Sequence, residues 1–152
     1  MDKLIIIFTS SCYLGYSPIV SGTVGTLGGV VLYLLLNRFV QVPFYAYAII
    51  TGIIFLLGIP ASTKAEVIYG KKDSGKIVID EVVGFMVTML AIPFNWKNVV
   101  IGFFLFRVLD VIKPFPIRRL ESFDGGFGVM ADDFLAGIYG NLIMQAIIYF
   151  RF

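Results

Sequence analysis

Apolar positions in this chain are gathered into long blocks, and the polar ones into two loops and a few block edges. A helix needs roughly 20 residues to cross the ~30 Å hydrocarbon core of a bilayer. Four stretches reach that length, at about 43–62, 77–96, 97–116 and 132–151. A fifth, about 20–40, is apolar from Val24 to Leu36 and follows a run of small polar residues. The opening segment 4–15 is apolar but short, which suits an interfacial or re-entrant piece. The expectation is an all-α, polytopic membrane bundle of five spans, formed as one domain over residues 1–152. The sizeable loops are 63–76 and 113–131.

Composition strengthens this reading. Hydrophobic residues make up 59% of the 152 positions and charged residues 14%, against roughly 45–50% and about 25% in soluble domains. Mean hydropathy is +0.92. The net charge of +2 and the lack of any long basic run give no sign of a nucleic-acid partner. "MDKLIIIF" is short for the apolar core of a signal peptide and is read as part of the mature chain.

The charges orient the spans. Loop 63–76 holds Lys64, Lys71, Lys72 and Lys76, and loop 113–131 holds Lys113, Arg118 and Arg119. Two spans separate these loops, so they share a side. The other side has Arg38, Lys97 and Arg151. The positive-inside rule then makes the two long loops cytoplasmic. With five spans the N-terminus is inside and the C-terminus outside.

The acids follow a stricter pattern. All ten fall on the cytoplasmic side or at the cytoplasmic ends of spans: Asp2, Glu66, Asp73, Asp80, Glu81, Asp110, Glu121, Asp124, Asp132 and Asp133. Asp80 and Glu81 open the third span, Asp110 lies near the end of the fourth, and Asp132 and Asp133 open the fifth. An antiparallel bundle brings those ends together. A charge within a span costs on the order of 2.5–3.5 kcal/mol, and five acids also repel one another. In "RVLDVIK", Arg107, Asp110 and Lys113 share a helical face, but two cations do not neutralise five acids. A hard divalent cation such as magnesium, which takes oxygen ligands, does. Taken singly, any of these acids also suits a helix cap or a solvated edge.

Two glycine-bearing stretches carry a double reading. "GYSPIVSGTVGTLGG" (15–29) offers Ser17, Ser21, Thr23 and Thr26 before a span, where free N–H groups bind anions. Its Gly25 and Gly29 equally form a GxxxG spacing for helix packing. "DGGFG" (124–128) reads as a flexible loop first. Asp133, Gly137 and Gly140 share a face on which packing is the safer expectation.

Several chemistries are excluded. With no His, zinc sites built on His, Ser-His-Asp triads and His-dependent phosphatidate phosphatases fall away. Cys12 has Pro18 rather than Arg six positions on, and no Asp-x-Asp pair occurs. Metal-assisted attack by water, or metal transport, remains.

The blocks "GYSPIVSGTVGTLGG", "DSGKIVIDEVVG" and "FRVLDVIKPFPIRRLESFDGGFGVMADDFLAG" together resemble the phosphatidylglycerophosphatase A family. The resemblance implies a magnesium-dependent enzyme of the bacterial cytoplasmic membrane. Such an enzyme removes the terminal phosphate of phosphatidylglycerophosphate to give phosphatidylglycerol. The motif acids correspond to Asp80, Glu81, Asp110, Asp132 and Asp133, and the basic residues to Arg107 and Lys113. Some members have His where this chain has Asp124, so a His there is not essential to this protein. On this reading the five acids hold one or two magnesium ions and carry catalysis. Arg107 and Lys113 meet the phosphate oxygens, while Ser21 and Thr23 face the second phosphate or the glycerol. Two alternatives fit less well. A CDP-alcohol phosphotransferase needs Asp-Gly-x2-Ala-Arg, and "DGGFGVM" lacks the Ala-Arg. A divalent-cation carrier needs a polar path, and between Val82 and Phe94 only Thr88 is polar.

Overall fold

The computed structural model describes residues 2–150, so Arg151 of the expected outer face lies outside the described residues. The described chain is helical throughout, with no strand among these residues. Seven α-helices run in order: α1 (Asp2–Thr9), α2 (Ser21–Leu34), α3 (Phe44–Tyr69), α4 (Ile79–Thr88), α5 (Trp96–Ile112), α6 (Ile117–Glu121) and α7 (Gly126–Tyr149). A π-turn, Leu35–Phe39, extends α2.

Two helices are long and apolar enough to cross a membrane, Ser21–Phe39 and Phe44–Tyr69. Only 22% and 17% of their apolar windows are buried inside the protein. Leu27, Val31 and Leu35 on α2, and Ile49, Ile53 and Leu56 on α3, stand exposed. An apolar face that broad exceeds the patches that soluble monomers show to water. The expected stretch 43–62 proves longer, because Pro60 does not end α3.

The expected continuous helix over 77–96 is not there. α4 has 10 residues, about 15 Å at 1.5 Å per residue. It ends at Thr88, and the chain turns through Ala91, whose φ is 59°, before reaching α5. An unbroken apolar run gives no sign of where its helix stops. α4 is the core of the molecule, buried from Ile79 to Thr88 except at half-buried Glu81, and packed against α7, α2, α3 and α5. Its exposed carbonyls find side-chain donors. The Tyr47 hydroxyl donates to Met86 O at 2.8 Å. The Asn141 amide donates to Thr88 O at 3.0 Å and Leu90 O at 2.6 Å. Buried backbone that leaves the helix needs such partners.

α7 likewise begins earlier than expected. Gly126 and Gly128, read as loop, form its first turn, and Gly126 N donates to Thr63 Oγ1 at 2.8 Å. Asp132 and Asp133 therefore lie more than one turn inside α7 rather than at its opening, which removes the capping role for both. The glycine face of α7 is a packing face. A Cβ on Gly137 would stand 2.5 Å from Gly84 O, and one on Gly140 2.9 Å from Thr88 Oγ1. Gly25 and Gly29 likewise pack, against Val78 and against Val82 and Phe85. α7 and α4 thus meet nearly backbone to backbone, which sets Asp133 beside the start of α4.

Candidate active site at the gathered helix ends

The antiparallel arrangement places the first turns of α2 and α4, the N-terminal part of α7 and the last turn of α5 at one end of the bundle. There Asp80, Glu81 and Asp133 come together, with one carboxylate oxygen from each lying within 4.8 Å of the others. Asp80 is 7% exposed and Asp133 3%. Asp80 and Glu81 occupy the first turn of α4, where the helix dipole favours negative charge. That effect is small beside the repulsion among three enclosed acids. Asp80 Oδ1 and Glu81 Oε2 are buried with no hydrogen-bond partner. Buried carboxylate oxygens are normally paired or bound to metal. The donor set is oxygen only and anionic, which fits a hard cation such as magnesium and not a soft one.

Asp110 borders this trio from α5, facing Glu81 and Asp133. It pairs with Arg107 at three-residue spacing, as the sequence suggests. Lys113 does not join that face. α5 stops at Ile112, and Lys113 takes a left-handed conformation with φ 46°. Its Nζ turns to Asp132 at 2.7 Å and to Glu121 at 3.2 Å. Asp132 is thereby held apart from the trio, since adjacent helical residues point about 100° apart. Its Oδ1 accepts from Asp133 N at 2.9 Å. Of the five acids, three form the cluster, Asp110 adjoins it, and Asp132 bridges to α5 through Lys113.

α2 closes the site from the side. A Cβ on Gly22 would stand 2.7 Å from Glu81 Oε1 and 3.2 Å from both terminal nitrogens of Arg107. Only glycine lets the helix approach this far. Ser21, one residue before, lines a polar pocket with Lys71, Ser74 and Lys76. Thr23 sits on the other flank beside Arg107 and Phe104. Asp73 was not singled out from sequence as part of the site. It sits in the loop before α4, where its N–H donates to Glu66 Oε1 at 2.6 Å. Although Asp73 is exposed, desolvation by the groups packed around its carboxylate raises its pKa against the opposing pull of Lys113, and Glu121, Glu66 and Asp110 add to the rise. Its charge-dense surroundings come from loop packing that no spacing rule announces. Lys72 ties the same loop to α7's entry through Asp124 at 2.9 Å, and that hydrogen bond raises the lysine's pKa.

Residues 7–148, which contain every one of these groups, match the family profile of phosphatidylglycerophosphatase A. The chain belongs to the phosphatidylglycerophosphatase A family. Among its relatives, the phosphatidylglycerophosphatase A of Haemophilus influenzae is 41% identical over 130 residues, 84% of this chain and 78% of that protein. That of Escherichia coli is 36% identical over 138 residues, covering 90% and 76%. A Bacteroides thetaiotaomicron protein provisionally named a phosphatidylinositol-3-phosphatase is 37% identical over 137 residues, covering 86% and 84%. No solved structure matches the chain. Proteins named for phosphatidylglycerophosphatase activity are phosphoric monoester hydrolases, so membership favours hydrolysis over metal transport, the two classes left by elimination.

Proposed function

We propose that this protein hydrolyses phosphatidylglycerophosphate to phosphatidylglycerol and phosphate, using magnesium held by Asp80, Glu81 and Asp133 with Asp110 beside them. The observation that carries the reading is the trio of enclosed carboxylates with unpartnered oxygens, in a chain of this family. Magnesium at these oxygens supplies Lewis-acid polarisation of the phosphoryl group and a water of lowered pKa.

The chain's own residues do the positioning. Arg107 is oriented by Asp110, and its terminal nitrogens stand over Gly22 at the mouth of the cluster. From there its planar fork suits two oxygens of one phosphate. Lys113, held by Asp132 and Glu121, keeps a positive charge beside the cluster and fixes the start of α7 against the end of α5. Asp132 is in this respect a positioning residue. Gly84 and Gly137 hold α4 and α7 close enough that Asp80 and Asp133 meet. Burial keeps the cluster dry apart from its mouth, so charge developing in phosphoryl transfer is weakly screened.

The proposal extends to the membrane. Two helices, α2 with its π-turn and α3, are long and apolar enough to cross it, and the five-span reading adds α4 with the turns after it, α5 and α7 as further crossings. α5 is 17 residues long, and α4 is shorter still. The α4 crossing is tolerable because its non-helical end is enclosed by protein and capped by Asn141 and Tyr47. Lys64, Lys71, Lys72, Lys76, Arg118 and Arg119 lie in the loops at the acid end, and by the positive-inside rule they support a cytoplasmic acid end in a bacterial inner membrane. An apolar groove of about 950 Å³ runs between α1 and α2 and is floored by Ile79 and Val82, which flank Asp80 and Glu81. It gives a lipid acyl chain a place beside the cluster.

Product analysis tests the reaction. Purified protein given phosphatidylglycerophosphate should yield phosphatidylglycerol and inorganic phosphate, and Asp80→Asn should not. Diacylglycerol as the lipid product would contradict the assignment of the terminal phosphate.

A further inference from the structure

The polar pocket on the far side of the first turn of α2 has no part in the chemistry above. It encloses about 440 Å³ and is lined by Tyr16, Ser21, Tyr69, Lys71, Ser74 and Lys76, with no acid among its lining residues. Three observations show that it is built to hold something. Ser74 is 6% exposed and lines the pocket, a buried polar residue beside two lysines. Lys76 is fixed in place, its Nζ lying 5.0 Å from the Tyr16 ring centre and 5.2 Å from that of Tyr69. The two tyrosines are themselves joined by a hydroxyl–hydroxyl contact of 3.1 Å. A cation held on aromatic faces keeps its charge and its donors. Ser21, the first residue of α2, brings its hydroxyl to the same pocket.

Two ammonium groups with the serine side chains of Ser21 and Ser74 around one cavity that holds no acid select an anion rich in acceptor oxygens, which is a phosphate group. The position says which one. Ser21 faces this pocket while Gly22, the next residue, faces Glu81 and Arg107. The pocket and the acid cluster therefore stand back to back across one helical turn. We infer that this pocket binds the phosphodiester of the lipid headgroup, the phosphate that is not cleaved, and so selects lipids with two phosphates over those with one. The inference rests on the phosphatase reading and adds the basis of its selectivity.

The test compares KM and kcat for phosphatidylglycerophosphate and for phosphatidate, which has no diester. The variants are the double substitution Lys71→Ala/Lys76→Ala, Ser74→Ala, and Lys64→Ala as an exposed-lysine control outside the pocket. Losing charge-assisted contacts should raise KM for the two-phosphate lipid about tenfold or more in the double variant. It should rise less in Ser74→Ala and not at all in Lys64→Ala. Activity on phosphatidate should stay within about twofold, so the preference between lipids narrows. A parallel loss on both lipids, or an unchanged preference in variants with wild-type thermal stability, overturns the inference while leaving the phosphatase reading in place. Inorganic phosphate is the second probe. If its inhibition weakens in the double variant while KM for the lipid does not move, the pocket takes free phosphate and the headgroup assignment is wrong. Release from neither lipid by wild-type protein removes the parent reading and this inference with it.

Discussion

Neutralising one acid of the cluster should separate its cost to folding from its use in catalysis. Asp133→Asn keeps the shape of the side chain and removes one charge from a group that is 3% exposed. At the outer limit of 4.8 Å between ligand oxygens, two full charges repel by about 3 kcal/mol at an effective dielectric constant near 20. Without divalent cation, the variant should therefore be at least as stable as the wild type. Magnesium reverses the order. A cation at 100 times its dissociation constant adds about 2.7 kcal/mol to the protein that binds it. At about 2–4 °C per kcal/mol for a chain of this size, wild-type Tm should rise by roughly 5–10 °C, and that of Asp133→Asn by much less. The assay is thermal unfolding in detergent, with chelator and with magnesium, for both proteins. Equal magnesium shifts in the two, or a variant that is markedly less stable in chelator, would refute the idea that the trio is a cation site. Turnover should fall by about 100-fold or more, as when an electrostatic stabiliser of the reacting group is removed.

Other parts of the account can be checked separately. Gly137→Ala drives a methyl group to within 2.5 Å of Gly84 O, and separating α4 from α7 should cost about 1–3 kcal/mol, read as a lower Tm together with reduced turnover. Asn141→Leu leaves the carbonyls of Thr88 and Leu90 without their donor. That should lower stability by about 1–3 kcal/mol in an unfolding assay, with the magnesium shift of Tm retained. Arg107→Lys keeps a charge but loses the planar fork, so kcat/KM should drop by about tenfold or more while the magnesium shift persists.

The site was more legible than the fold that holds it. Charge placement alone pointed to five acids meeting, Asp80, Glu81, Asp110, Asp132 and Asp133, because acids are costly in apolar blocks and these fall at block ends on one side; the structure brings Asp80, Glu81 and Asp133 into one cluster. The extent of α4 was hidden. Its residues and those of 89–94 are equally apolar, and the stop depends on Asn141, a residue about 50 positions away, reaching over to take the carbonyls. The start of α7 was hidden for the opposite reason. Gly125, Gly126 and Gly128 look like a loop, yet Gly126 and Gly128 are helical because α3 and the preceding turn press against them too closely for a side chain. That shift moved Asp132 and Asp133 into the helix and, with Lys113 leaving α5, redirected Asp132 to a lysine. Lys71, Ser74 and Lys76 were visible only as charges that orient a loop. Their common pocket exists because Tyr16 and Tyr69, 53 positions apart, close around Lys76.

The most direct test of the central claim is phosphate release from phosphatidylglycerophosphate by the detergent-purified protein, titrated with magnesium after chelation. The account predicts no release in chelator, saturable restoration by magnesium, and no restoration in Asp80→Asn. Full release in chelator, or a magnesium response that survives the loss of Asp80, would contradict it.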